Sequence, residues 1–249
     1  MSEIYGPFAQ IYDEVMDNYN YPQVFAFLRE VLKSYSELSG ELEILEMAMG
    51  TGKLSQHLSS LGRVEGFDRS EAMLALAYQR LYRNPRVKLY QMDLSSFHFS
   101  HDFHLITCLC DGYNYLETDE QILNSFERVH RHLKEGGLFV FDYNTAEYFQ
   151  GQLDGHTEVR QGEDYLLTWE NEFDPQGGVH IYDLNIFLQV EEDTYTRYQE
   201  EHREYARSLE SLKGLLDKTG FRLLAITDGY TLAPGGEGRD KWVFIAERK

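Results

Sequence analysis

The segment Glu46-Met-Ala-Met-Gly-Thr-Gly52 joins an apolar run to a segment of helical spacing. Glycines at such a junction permit a tight turn and let a ligand lie against the backbone. The start of the following helix adds N–H groups that have no partner inside it. A phosphate loop of the form GxxxxGK(S/T) does not fit, because Met47 stands at the first glycine position and Leu54 follows Gly52-Lys53. A dinucleotide fingerprint, G-x-G-x-x-G, fits only in part: Gly50 and Gly52 are present, but Ser55 replaces the third glycine. Asp68 and Asp93 close later apolar runs, where a carboxylate serves either a ligand or a helix cap. Cys108 and Cys110 alternate along one apolar run, which places both side chains on one face. A CxC without a second pair reads as buried packing, and His98, His101 and His104 are spaced too irregularly for a ligand set, so no metal site is expected. No Ser/His/Asp or Cys/His arrangement is visible, which leaves the catalytic residue unassigned.

The elements that must position these groups follow from periodicity. The first forty residues read as helical, with Tyr5, Phe8, Ile11 and Tyr12 on one stripe and Val24, Phe25, Phe27, Leu28, Val31 and Leu32 on another. A turn and helix start at residues 17–22 separate them. From Glu41, strands alternate with helices: 42–48, 63–68, 87–93, 103–110 and 138–144 as strands, 53–62, 70–83 and 119–134 as helices. Gly62 is expected to close the first of these helices, and Ser70 to cap the second. This alternation implies an α/β chain, a Rossmann-like doubly wound and mostly parallel sheet. After Asn144 the period changes to two, and three alternating runs, 165–173, 182–190 and 194–205, read as an inserted antiparallel β meander. A helix over 208–220, closed by Gly220, leads to two last strands that can pair as an antiparallel C-terminal hairpin. The domain reading is therefore an N-terminal helical lid (1–40), a cofactor-binding core (41–146 and 207–249) and an insertion (147–206).

Composition narrows the partners. The chain has 249 residues, enough for a sizeable core without disulfides, and its two cysteines suit a reducing, cytoplasmic location. Its 42 acidic against 23 basic side chains give a net charge of −19. That field repels phosphate backbones, and no Lys/Arg cluster offsets it, so neither nucleic acid nor an anionic membrane is an expected partner. No run of about eighteen apolar residues is present to span a bilayer, and the first residues carry neither a basic nor an apolar leader region.

Four stretches in order, ILEMAMGTGKLS, GFDRSEAML, YQMDL and LKEGGLFVFD, resemble the class I S-adenosylmethionine-dependent methyltransferases. The N-terminal pattern Tyr5, Tyr12, Asp13 and the run Tyr195, Glu201, His202, Arg203, Tyr205 resemble small-molecule members with an antiparallel insertion, such as amino-sugar N-methyltransferases. The resemblance implies S-adenosyl-L-methionine as cofactor. Glu46 would order water or receive the cofactor's amino group, with Ala48, Gly50 and Gly52 leaving room beside it. Asp68 would accept both ribose hydroxyls, Arg69 and Met73 would wall the adenine, Asp93 would accept from its amino group and Leu94 would add a backbone contact. Cys110 and Asp111 would lie beside the sulfonium, under Tyr12. Tyr113, Trp169, His202 and Arg203 would touch the substrate.

The expected activity is methyl transfer to a nitrogen or oxygen of a small polar acceptor held between the insertion and the carboxyl edge of the sheet. A non-catalytic binder of the cofactor or of its demethylated product is the alternative, and a nicotinamide-dependent oxidoreductase a third. The meander could instead be the contact of a homodimer.

Overall fold

The computed structural model describes residues 5–17, 19–192 and 194–248. The outermost residues of the sequence and Asp193, in the expected turn after 190, fall outside that range. Helix α1 (Ala9–Val15) precedes α2 (Tyr21–Tyr35), whose start is fixed by Pro22 in its first turn and by Asn20, which accepts a hydrogen bond from the Gln23 N–H. The core sheet contains β1 (Leu42–Met47), β2 (Gly62–Asp68), β3 (Val87–Gln91), β4 (Phe103–Cys108), β5 (Leu133–Asn144), β10 (Phe221–Asp228) and β11 (Lys241–Arg248). They run in the order β10-β11-β5-β4-β1-β2-β3. β1 to β5 pair in parallel, while β11 lies antiparallel between β5 and β10, so the C-terminal hairpin is present and inserts into the sheet's edge.

Strand alternation explains the two helical layers. Leu45, Met47, Ile106, Cys108, Phe139, Phe141 and Phe244 point to the face covered by α5 (Asp119–His132) and α7 (Leu209–Lys218). Their neighbours Ile44, Leu105, Leu138, Val140, Val243 and Ile245 point to the face covered by α2 and α3 (Lys53–Leu58). α4 (Glu71–Leu81) packs Ala77 and Leu81 on Met49, and Ser70 caps it by accepting from the Met73 N–H. This is a doubly wound α/β sheet.

The antiparallel insertion has four strands rather than three: β6 (Thr157–Gln161), β7 (Tyr165–Asp174), β8 (Val179–Glu191) and β9 (Thr194–Tyr205). β6 is mostly exposed and polar, so it has no hydrophobic alternation to announce it. The inner face of this sheet (Tyr165, Leu167, Tyr182, Leu184, Ile186) packs on Phe8, Ile11 and Val15 of the N-terminal segment. The first helix is therefore seated on the meander as well as over the core.

Several boundaries differ from the sequence reading (β3 ends at Gln91, α5 at His132, and β5 begins at Leu133), and for two others the physical reason is visible. Gly62 does not close a helix: α3 ends at Leu58, and Gly62 opens β2 where a Cβ would stand 1.9 Å from the Leu42 carbonyl oxygen. β4 stops at Cys108, so Cys108 and Cys110 do not share a strand face. Cys108 is in the core, and Cys110 lies in a turn with φ 64°.

Candidate active site

The carboxyl ends of β1, β2 and β4 open into one cavity. The loop after β1 reverses by left-handed backbone at Ala48 (φ 50°), Gly50 (φ 54°) and Gly52 (φ 75°), a conformation costly for any residue but glycine and here imposed even on an alanine. Gly50 N–H donates to Asp68 Oδ2 at 2.9 Å, and Ser70 N–H donates to Asp68 Oδ1 at 2.9 Å, so the carboxylate at the end of β2 ties the glycine loop to the start of α4. Burial pushes the Asp68 carboxyl up, and these two N–H groups oppose that. Glu46, at the end of β1, accepts from the Ser55 hydroxyl and is pushed by burial up to about 8. Asp93 accepts from both the N–H and the hydroxyl of Ser95 through Oδ1, which fixes the turn after β3.

Of the residues expected at a cofactor site, Tyr12, Glu46, Ala48, Gly50, Asp68, Arg69, Met73, Asp93, Leu94 and Cys110 all line this cavity. Gly52 stands behind it, where a Cβ would meet Leu81 Cδ1 at 2.6 Å; it serves the packing of α4. Asp68, Asp93 and the carboxyl of Glu46 beside the apolar walls of Phe67, Met73, Met92 and Leu116 can hold a polar chain, a diol and a flat heterocycle together.

A second cavity of about 320 Å³ adjoins the first, and Tyr5, Tyr12, Tyr21 and Cys110 belong to both. Its walls include Tyr148, Trp169 and Tyr182, and its polar groups are Asp111, Asn144, Glu204, Asp240 and Lys241. Cys110 and Asp111 (φ 61°) are consecutive left-handed residues. Asp142, fully buried in β5, holds them: it accepts from Cys110 N–H at 3.1 Å and Asp111 N–H at 2.9 Å. Its other partners are the Tyr230 hydroxyl and Lys241 Nζ, the latter at 2.8 Å. Burial works against the Lys241 ammonium, but Asp142 and Asp111 outweigh it and raise its pKa.

The substrate candidates divide. Trp169 lines the second cavity. His202 stands one layer behind, fully buried and stacked on Tyr182 with ring centroids 4.7 Å apart. Tyr113 is not at the site: it is buried in the core and hydrogen-bonded to Ser125 at 2.9 Å. Arg203 is also misplaced by the sequence reading, because it follows His202 on a strand and so faces solvent, paired with Glu201 at 2.7 Å. Groups that the sequence reading missed include Tyr115, Asn144, Tyr148, Tyr182, Glu204 and Lys241. Glu204 was accessible by parity, since residues 200, 202 and 204 of one strand share a face.

The N-terminal segment closes over both cavities. Glu200 accepts from the N–H groups of Tyr5 (3.0 Å) and Phe8 (2.9 Å) and meets His202 Nε2 at 3.1 Å. The Tyr5 hydroxyl pairs with that of Tyr115 at 2.6 Å, and Tyr115 bonds Tyr182 in turn. On the core side, Asp13 accepts from Thr51 Oγ1 at 2.7 Å and pairs with Arg80 and with Lys53. Among the described residues, no group of three or more His, Cys, Asp or Glu side chains stands where it could hold a metal ion, and His104 Nδ1 instead accepts from the Glu43 N–H.

Residues 44–137 match the methyltransferase domain family. The whole chain is 28% identical over 248 residues (98% of this chain, 99% of the other) to a protein of Geobacillus sp. (strain WCH70) whose name carries a methyltransferase assignment provisionally. Over 143 residues (57% of this chain, 56% of the other) it is 28% identical to dTDP-4-amino-2,3,4,6-tetradeoxy-D-glucose N,N-dimethyltransferase of Saccharopolyspora spinosa. The crystal structure of an S-adenosylmethionine-dependent methyltransferase from Clostridium acetobutylicum ATCC 824 superposes with a TM-score of 0.85 at 25% identity, covering 98% of this chain and 99% of that one. Residues 44–137 thus match a methyltransferase domain, and the chain as a whole shares the fold of the S-adenosylmethionine-dependent methyltransferase from Clostridium acetobutylicum.

Proposed function

We propose that this methyltransferase holds its cofactor in the first cavity and methylates a small polar metabolite in the second. The reading rests on one observation: the two cavities share Tyr5, Tyr12, Tyr21 and Cys110. Methyl transfer needs a donor and an acceptor atom aligned across one such wall. S-adenosylmethionine supplies an activated methyl group on a sulfonium, so the chain's own task is to bind, orient and exclude water. Asp68 would accept the ribose hydroxyls, Arg69 and Met73 would flank the adenine, Asp93 and Leu94 would meet its edge, and Glu46, Ala48 and Gly50 would receive the amino-acid end. Tyr12 and Cys110 would bound the reacting face. The domain division follows the same logic, with 1–40 as lid, 41–146 and 207–249 as cofactor core, and 147–206 as the acceptor-binding insertion.

The acceptor class is supported by the aromatic and acidic lining and by the sugar amine named for the Saccharopolyspora relative. A net charge of −19 disfavours nucleic acid as the acceptor. No helix among the described residues is long and apolar enough to cross a membrane, and the two free cysteines suit the cytoplasm. The test is calorimetry with S-adenosylhomocysteine, followed by incubation with methyl-labelled cofactor and a metabolite extract. Binding together with label in a small molecule is the expected result; no heat from folded protein, or label in RNA alone, contradicts it.

A further inference from the structure

Three hydrogen-bond acceptors meet on the floor of the second cavity. Glu204 is 4% exposed, and Asp111 is partly buried beside it. Asn144, 5% exposed, stands between them: its Nδ2 donates to Asp111 Oδ2 at 3.4 Å and it also bonds Glu204. Its Oδ1 is buried and finds no partner among the described residues. The cation of this cavity, Lys241, is held by Asp142 at 2.8 Å. Unpaired buried acceptors are costly, and what relieves them is a ligand rich in donors. An ammonium brings several N–H groups and a positive charge, and aromatic faces such as Tyr148, Trp169 and Tyr182 tolerate it. An ammonium, however, has no lone pair and must lose a proton before it can be methylated.

We propose that Asp111 and Glu204, bridged by Asn144, form one proton-accepting pair that receives the acceptor's ammonium and takes a proton from its nitrogen. This rests on the second cavity being the acceptor site. The N–H bonding electrons remain on nitrogen as its lone pair, and the proton forms an O–H bond on the pair's ionised carboxylate. That lone pair then forms the N–CH3 bond as the methyl–sulfur bond breaks, its electrons staying on sulfur. The methylated nitrogen carries the positive charge, and the pair gives its proton to water as the product leaves.

The surroundings suit this role. Burial pushes Asp111 up to about 6, opposed by Lys241 and assisted by Asp142. Burial also pushes Glu204 well above the carboxylate range, assisted by Asp111 and Asp142 and opposed by Lys241 and Asn144. The Asp111 charge is one of the groups that raise Glu204, so a proton on either carboxyl is felt by the other. The other groups facing them are the hydroxyls of Tyr5, Tyr115, Tyr143, Tyr148 and Tyr182, the Cys110 thiol and, at the edge, Asp240. Burial keeps these tyrosines and the thiol neutral. Near neutral pH the charge around the acceptor is therefore set by the pair together with Asp142, Asp240 and Lys241.

The experiment uses Asp111→Asn and Glu204→Gln, each nearly isosteric; asparagine also tolerates the left-handed backbone at 111. A bacterial metabolite extract is divided by cation exchange into retained and unretained fractions, and each is incubated with methyl-labelled cofactor. The wild type should label the retained fraction. Both variants should bind S-adenosylhomocysteine within about twofold of wild type yet transfer label at pH 7 about a hundredfold or more slower. Their rates should rise about tenfold per pH unit as the acceptor amine loses its proton unaided, while the wild-type rate stays nearly flat. The protonated-carboxyl infrared absorption near neutral pH should lose the Glu204 component in Glu204→Gln, while the component from Glu46 persists. A variant that keeps its rate within about threefold, an unchanged pH profile, or label confined to the unretained fraction overturns the proposal alone. Wild-type protein that binds the product but labels neither fraction overturns the acceptor reading with it.

Discussion

Asp68 carries two backbone N–H groups and a free side toward the cavity, whereas Asp93 is engaged through one oxygen by Ser95. A carboxylate accepting two ribose hydroxyls gains roughly 1.5–3 kcal/mol from each, against a single bond to an adenine amino group. Asp68→Ala is therefore expected to weaken S-adenosylhomocysteine about a hundredfold and Asp93→Ala about tenfold, measured by calorimetry. Equal affinities for wild type and Asp68→Ala would remove Asp68 from the site. Glu46 supports a second test. Its folded pKa of about 8 lies above the ordinary 4.5, so the native state holds this proton more tightly than the unfolded chain does. Its contribution is fully present below about 4.5 and is lost as pH rises through about 8. Glu46→Gln should flatten that decline, gaining a few degrees in Tm relative to wild type near pH 8; parallel Tm–pH curves would contradict it. At this scale the residues lining the first cavity were largely legible, because they sit at strand ends that motif spacing locates. The second cavity was not: its lining depends on which of two adjacent strand residues faces inward, and of His202 and Arg203 only His202 does.

The elements of the core followed from periodicity, since parallel strands buried on both faces and amphipathic helices leave strong patterns. What the pattern could not carry was β6, whose side chains are mostly exposed, or the end of β4, where Asp142 imposes a backbone turn from a distant strand. The seating of the N-terminal segment was equally invisible, because its partners act across the fold: Glu200 for Tyr5 and Phe8, and Thr51, Lys53 and Arg80 for Asp13. Burial alone would raise the Asp13 carboxyl, but hydrogen bonds from Arg80 and Thr51 outweigh it and lower it. This clamp fastens α1 to the glycine loop, so a ligand that orders the loop should order the helix. Amide exchange in residues 5–17 is expected to slow when the protein is saturated with S-adenosylhomocysteine. Asp13→Ala should remove most of that protection and weaken the ligand by about tenfold, allowing for the partial solvent exposure of the pair. Unchanged exchange in the wild type would show that the segment is no lid.

For the molecule as a whole, the net charge is −19, and where like charges fall bears on whether the meander joins two copies of the chain. The outward face of the meander sets Glu170, Asp183 and Glu201 directly opposite one another on adjacent strands. Like charges in register repel. Burial, followed by Glu201 and Glu170, pushes the Asp183 carboxyl up, with Arg203 only partly offsetting them. A twofold contact through this face would set the same row against its own copy and double the repulsion. The inner face is already covered by Phe8, Ile11 and Val15. Sedimentation at low ionic strength should therefore give the monomer mass, and any self-association through the outer face should strengthen as salt screens the row. A dimer that persists at low salt and dissociates as salt is raised would show that complementary charges, lying elsewhere than on this row, hold it together. The field that keeps copies apart also draws cations toward the protein, so capture of an amine acceptor should slow as ionic strength rises while binding of the neutral-sulfur product hardly changes. Equal salt dependence for the two would separate the acceptor's charge from its recognition.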